Sequence, residues 1–212
     1  MDPSFWHERW TARRIGFHEE KPNDLLMKHF ARLDLSAGSR VFVPLCGKSR
    51  DLGWLLEQGF RVVGIELSPI AVEELFTELG VKPVIEEHGP LKLYSYEDLF
   101  VFVGDVFELM MDRLGPVDAV YDRAALVALP ETMRKAYAAH LTRLTGAAPQ
   151  LLISFDYDQT MADGPPFSVP RSEIGKLYGE AYEIERLESI AITGNLARRC
   201  TGSEEVWLLS RR

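Results

Sequence analysis

The apolar positions change their period in a repeating order along the chain. Val41, Phe42 and Val43 make a short unbroken apolar run, the pattern of a strand buried on both faces. Leu45-Cys46-Gly47-Lys48-Ser49 interrupts it and predicts a tight turn. From Asp51 to Gln58, Leu52, Leu55 and Leu56 fall at helical spacing, and Gly59 stops the helix. Arg61 to Ile65 returns to a strand pattern and ends in Glu66. Ser68-Pro69 then predicts a capped helix start with Pro at the first helical position. Ile70, Val72, Leu75, Phe76 and Leu79 form its face, and Gly80 closes it.

The same alternation continues. PVIEE and KLYSY predict short strands around the turn His88-Gly89-Pro90. Phe100 to Val103 is a stronger strand, followed by Gly104 and Asp105. Val117 to Asp122 predicts a fourth principal strand ending in Arg123, residues 131 to 144 a helix, and Gln150 to Phe155 a fifth strand followed by Asp156 and Asp158. A loop rich in proline spans 163–170, and a short helix runs from Ser172 to Gly179. EIERLESIAI and EEVWLLS, joined by TGNLARRCTG, predict an antiparallel hairpin added to an otherwise parallel sheet. Upstream of the first strand, Asn23 to Leu33 predicts a helix with Asp24 capping or favouring its start and His29 packing on its face or meeting solvent. No repeat or linker divides the chain, so residues 1–212 read as one α/β domain.

Composition narrows the partners. A hydrophobic content of 46% and a charged content of 26% are ordinary for a globular protein. A net charge of -8 argues against nucleic acid, which needs clustered Lys and Arg. No apolar run approaches the roughly 18 residues of a membrane span. Cys46 and Cys200 are the only cysteines and give no metal spacing. A reducing cytoplasm and a monomer are the expected setting.

The candidate chemistry gathers where the principal strands end. In open α/β sheets ligands bind beyond the carboxyl ends of the strands. Those ends carry Leu45-Cys46-Gly47, Glu66, Asp105, Arg123 and Asp156. An acidic residue closing the second strand, about 19 residues after the turn glycine, suits the two hydroxyls of a ribose. Asp105 is placed to accept from an adenine amine, or to cap its own turn. There is no GxGxxG for a pyrophosphate. Gly47-Lys48-Ser49 resembles the tail of a P-loop, but Phe42 stands where its first glycine is required. A nucleoside without phosphates remains, and S-adenosylmethionine fits. Phe5, Trp6, Trp10 and Phe17 crowd into residues 1–22, as packing or as an aromatic lid that a cationic cofactor would favour.

VFVPLCGKS (41–49), VVGIELS (62–68), VYDRAALVAL (120–129), the pairing of Trp6 and Trp10 with the segment Phe17 to Glu20, and GPPFSVP (164–170) together resemble the thiopurine S-methyltransferases, in a bacterial form. The resemblance spans nearly the whole chain and implies a Rossmann-like class I S-adenosylmethionine-dependent methyltransferase sheet, mostly parallel, with helices on both faces. It implies methyl transfer to the sulfur of aromatic and heterocyclic thiols. Carried over by motif, Trp10, Leu45, Glu66 and Arg123 contact the cofactor; Trp6, Phe17, Asp105 and Val106 line the same site. Phe17 faces the substrate ring, and the 193–204 loop is where a substrate-facing arginine is expected.

Such thiols ionise near neutral pH, so no dedicated general base is required, and Arg123 serves to hold a carboxylate or steer an anionic acceptor. Asp156 and Asp158 are candidates for proton removal or for loop capping. Two other readings stand beside this one: methylation of selenium or tellurium species, and a non-catalytic module that senses S-adenosylmethionine.

Overall fold

Strand β1, Arg40–Pro44, is buried on both faces, and each face meets a different set of helices. Val41 and Val43 point one way and Phe42 the other, as the period of two requires. The structure, a computed structural model, describes residues 3–16 and 18–212. After α1, Pro3–Thr11, comes α2, Asp24–His29, which passes into a 3₁₀ turn, Phe30–Leu33. Asn23 caps α2, its side chain accepting from the N–H groups of Leu25 and Leu26. Asp24, expected to cap the helix or favour its start, does the second: it lies in the first turn, where a carboxylate favours the helix dipole. His29, expected to pack or meet solvent, pairs with Glu188.

After β1 the chain forms α3 (Arg50–Glu57), β2 (Arg61–Glu66) and α4 (Pro69–Glu78). Ser49 caps α3 through the N–H of Asp51. Pro69 opens α4 as expected, but the Ser68 side chain makes no capping bond. β3 (Val84–His88) and β4 (Leu91–Tyr96) form a hairpin leading to β5 (Leu99–Val103). A 3₁₀ turn (Val106–Glu108) and a one-turn helix, α5 (Met111–Leu114), lead to β6 (Ala119–Arg123). α6 (Glu131–Leu144), β7 (Gln150–Tyr157), α7 (Arg171–Tyr178), β8 (Tyr182–Ala191) and β9 (Gly202–Arg211) complete the fold.

The nine strands form one sheet in the order β3-β4-β5-β2-β1-β6-β7-β9-β8. The five central strands, from β5 to β7, run parallel. The β8–β9 hairpin is antiparallel, as expected, and carries a bulge between Arg186 and Glu188. The strands expected around the turn His88-Gly89-Pro90 are β3 and β4; not anticipated was their antiparallel attachment to β5, which extends the sheet on the opposite side. On one face, Val41, Val43, Val62 and Val101 pack with Leu52 and Leu55 of α3 and Val72 and Phe76 of α4. On the other, Phe42, Val63 and Phe102 pack with Tyr137 and Leu141 of α6 and Ile174 of α7. A sheet buried this way holds the carboxyl ends of its five parallel strands in a fixed row.

Candidate active site

That row opens into a cavity of about 460 Å³, within the range of small-molecule sites. Leu45, Glu66, Asp105, Arg123 and Phe155, from the ends of β1, β2, β5, β6 and β7, all line it. The sequence reading placed Asp156 in this row. Side chains alternate across a strand, so Phe155 faces the cavity while Asp156 is exposed and does not line it. Asp158 is outside the cavity too. It caps the next turn, accepting from the N–H of Thr160 at 3.0 Å and from its hydroxyl at 2.7 Å. Capping is therefore the structural role of Asp158, and neither aspartate is placed to take a proton in the cavity.

Glu66 is buried at the mouth of the first turn. One carboxylate oxygen accepts the N–H of Gly47 at 2.9 Å, and the other accepts the N–H of Ser68 at 2.8 Å. Burial raises its pKa, and these backbone donors restrain the rise. Each oxygen keeps a lone pair for a further donor. Leu45 and Gly47 both have positive φ, 47° and 53°, which folds the turn back under the cavity. A side chain at Gly47 would also meet the Trp10 ring, 3.3 Å from the position of a Cβ. Trp10 is 4% exposed, covered by the protein's own atoms, and Trp6 is half-buried beside it on α1. Phe17 lies outside the described residues.

The lysine and cysteine of this turn are not cavity chemistry. Lys48 donates to Glu74 at 2.8 Å and to Glu78 at 2.6 Å on α4. Burial alone would lower its pKa, but the two carboxylates outweigh it and the ammonium is held charged. Cys46 is buried, and both burial and the nearby Glu66 push its thiol well up, so it packs as a small apolar group.

Asp105 is exposed at the cavity edge and accepts the N–H of Phe107 at 3.0 Å, with buried Val106 beside it. Opposite, the guanidinium of Arg123 is held by two carboxylates, Glu19 at 2.7 Å and Asp51 at 3.5 Å. Asp51 also accepts from the Tyr121 hydroxyl at 3.0 Å and from the N–H of Asn23 at 2.8 Å. Burial would depress the pKa of Arg123, yet its anionic surroundings raise it. Behind it, Asp122 accepts from Leu126 N–H and the Tyr137 hydroxyl, and burial pushes its pKa to about 6.

Sequence reasoning missed Glu19, Asp51 and Glu204, each of which lines the cavity. Glu19 and Asp51 meet Arg123 from distant segments, and no local pattern singles out any of the three carboxylates. Of the arginines in the 193–204 loop, Arg199 lines the cavity, with Thr193 to Leu196; Pro165 and Pro166 close the same side. Among the described residues, no group of His, Cys, Asp and Glu is placed to hold a metal ion. Nor is any helix among them long and apolar enough to cross a membrane.

A family model described as Thiopurine S-methyltransferase (TPMT) matches residues 1–212. The chain belongs to the thiopurine S-methyltransferase family. Relatives named Thiopurine S-methyltransferase are 56% identical in Xanthobacter autotrophicus, over 100% of both chains, and 53% identical in Teredinibacter turnerae, over 100% of this chain and 98% of that one. Among solved structures, an S-adenosylmethionine-dependent methyltransferase from Anabaena variabilis superposes with a TM-score of 0.65 at 13% identity, covering 99% of this chain and 95% of that one. A Burkholderia thailandensis 1,6-didemethyltoxoflavin-N1-methyltransferase, solved with S-adenosylhomocysteine, gives 0.63 at 16% identity over 98% and 87%. These likenesses confirm the class I methyltransferase fold. As a member of the thiopurine S-methyltransferase family, the protein is an enzyme that uses S-adenosylmethionine as its methyl donor.

The residues present fit that donor. At one end the turn donors are already used: Gly47 N–H by Glu66, Ser49 N–H by the Cys46 carbonyl, and the Lys48 ammonium by α4. What remains is a carboxylate with free lone pairs, which suits a diol and not a phosphate. The Trp10 indole lies against that same turn, and Trp6 and the fixed guanidinium of Arg123 line the cavity with it.

Proposed function

We propose that this enzyme methylates the sulfur of aromatic or heterocyclic thiols, thiopurines among them. The observation that carries the reading is the division of one cavity into two chemically different ends. The Glu66 and Asp105 end offers acceptors. The other side, at β6 and β7 in the strand order, offers an apolar wall, Phe155 with Pro165 and Pro166, beside Arg123, whose guanidinium Glu19 and Asp51 hold in place. A flat ring bearing an ionised sulfur suits that second end. The family assignment supports the same acceptor class.

When bound, S-adenosylmethionine supplies a methyl group activated on a sulfonium. Glu66 would hold its ribose, Asp105 and Val106 its adenine, and Leu45, Trp6, Trp10 and Arg123 its amino-acid end. Trp rings attract cations and exclude water at once. Arg123, fixed by Asp51 and Glu19, presents its planar fork without having to find a rotamer. It can bind a carboxylate or draw a thiolate into place. The chain's own contribution is thus alignment and a dry site, which supply much of a displacement's barrier reduction. Residues 1–22 would act as a lid over the reacting atoms within one domain spanning 1–212.

The test is a panel of thiophenols, heterocyclic thiols and chalcogen oxyanions assayed with labelled methyl donor. The expected result is transfer to ring thiols with kcat/KM well above that for the oxyanions. Transfer to the oxyanions alone would replace this reading with chalcogen methylation.

A further inference from the structure

The cavity contains one more carboxylate that the assignments above leave without work. Glu204 stands near the start of β9, opposite Phe155 of β7 and Ile190 of β8 in the sheet register. Its alternation matches that of Val206 and Leu208, so it projects on the same sheet face as Tyr121 of β6. It is part-buried and lines the cavity on the side of Phe155, Pro166 and the 193–199 loop. Among the described residues no hydrogen bond reaches its carboxylate. Its neighbour Glu205 differs on each point: it is buried, and it accepts from Ser189 at 2.8 Å and Ser203 at 2.6 Å.

The charged surroundings of Glu204 are few. From β6, Arg123 acts on it as a cation; from the segment after α1, Glu19 acts as an anion. β7 and β8 present Phe155 and Ile190 in register and no charge. Arg199 of the 193–199 loop lines the same cavity. Burial raises the pKa of Glu204, Arg123 opposes the rise, and Glu19 adds to it. A carboxylate that is easier to protonate than usual is a better acceptor for a weakly acidic proton.

We propose that Glu204 is a catalytic residue that takes the proton from acceptors arriving as neutral thiols; this rests on the thiol reading above. As the S–H bond breaks, its electron pair stays on sulfur and the proton forms an O–H bond with Glu204. The resulting thiolate forms the new S–C bond while the methyl–sulfonium bond breaks, and its electron pair stays with the departing sulfur. Glu204 then returns the proton to water through the open side of the cavity. Acceptors that arrive already ionised bypass the step. Glu204 therefore extends the enzyme's range from acidic ring thiols to less acidic ones.

The test compares two acceptors in wild type and Glu204→Gln. One is an alkyl-type thiol, whose pKa of about 8.5 keeps it protonated at pH 7. The other is 4-nitrothiophenol, ionised at neutral pH. For the first, Glu204→Gln is expected to lower kcat/KM by roughly 100-fold or more, the usual worth of a positioned base. For the second, the change should be under about three-fold, since no proton is removed. In wild type, kcat/KM for the alkyl thiol should show an acid limb above the ordinary glutamate range, absent with 4-nitrothiophenol. A carbon-13 titration of the ligand-free protein should show one carboxyl, missing in Glu204→Gln, ionising above that range. Equal losses with both thiols, or an ordinary glutamate titration, overturn the proposal alone. If wild type methylates neither thiol, the thiol reading fails and the proposal falls with it. Should Glu204→Gln not fold, the wild-type profiles decide, because the same acid limb with both thiols also overturns it.

Discussion

The Glu66 carboxylate accepts the backbone N–H of Gly47 at 2.9 Å, so the acid that closes β2 also fastens the turn that follows β1. One side chain thereby joins the cavity floor to the sheet. Glu66→Ala should weaken S-adenosylmethionine binding by about 10- to 150-fold, the equivalent of one lost charged hydrogen bond. It should also lower stability by about 1–3 kcal/mol, because the N–H groups of Gly47 and Ser68 lose their acceptor. Calorimetric titration and denaturant unfolding read the two separately. A stability loss with an unchanged dissociation constant would confine Glu66 to holding the turn.

Arg123 holds Glu19 and Asp51 through different nitrogens of its fork. Lys keeps the charge but presents a single ammonium, so Arg123→Lys should not span both carboxylates. The expected result is a fall in kcat/KM of about ten-fold or more from loss of a charge-assisted bond. If Arg123 serves the acceptor, the loss appears in turnover; if it serves the cofactor carboxylate, the dissociation constant rises. No change in either would remove Arg123 from the reaction.

The seat of α1 makes a third expectation. Trp10 lies against Gly47 with no ligand needed to bury it, whereas Trp6 remains half-buried at the cavity edge. Hydrogen exchange with and without S-adenosylhomocysteine should show protection of residues 3–16 rising when the ligand is present. Full protection in the ligand-free protein, unchanged by the ligand, would make these aromatics simple core packing and end the lid reading.

Asp122 gives a pH signature. Its pKa is raised from 3.8 to about 6. The folded state therefore binds its proton more tightly than the unfolded state does, and this contribution to stability is complete below about pH 4. It is lost as pH rises through 6, at about 1.4 kcal/mol per pKa unit, or about 3 kcal/mol in total. In Asp122→Asn that dependence should vanish. The difference in unfolding free energy between variant and wild type should therefore move in the variant's favour by about that amount between pH 4 and pH 7. A constant difference would show that Asp122 is not desolvated as its burial implies.

The features legible in the sequence were those written within a few neighbouring residues. β1, its glycine turn, α3 and Glu66 follow one another directly, so period and punctuation placed them. Other features depended on which face or which distant segment a residue meets. Phe155 and Asp156 are adjacent, and only the register of β7 decides which one enters the cavity. Asp51 read as the first residue of a helix, yet it is the hub joining Asn23, Tyr121 and Arg123. β3 is largely exposed, so although its turn marked it as a strand, its apolar trace was too weak to place it at the edge of the sheet. Glu204 and Glu205 stand side by side in a strand, and nothing in their order says which one the serines engage.

The diversion of Lys48 onto Glu74 and Glu78 has a consequence for selection among crowded metabolites. A lysine in a glycine turn at the end of a first strand is where many proteins grip polyphosphate. Here that cation is held by two carboxylates of α4, and Glu19, Asp105 and Glu204 line the cavity together with Arg9, Arg123 and Arg199. A nucleoside triphosphate or dinucleotide shares the ribose and adenine that Glu66 and Asp105 would recognise. It would bring several negative charges to a turn whose lysine is already paired. The turn thus keeps the shape that elsewhere grips polyphosphate while its cation is committed inside the protein, to the carboxylates of α4.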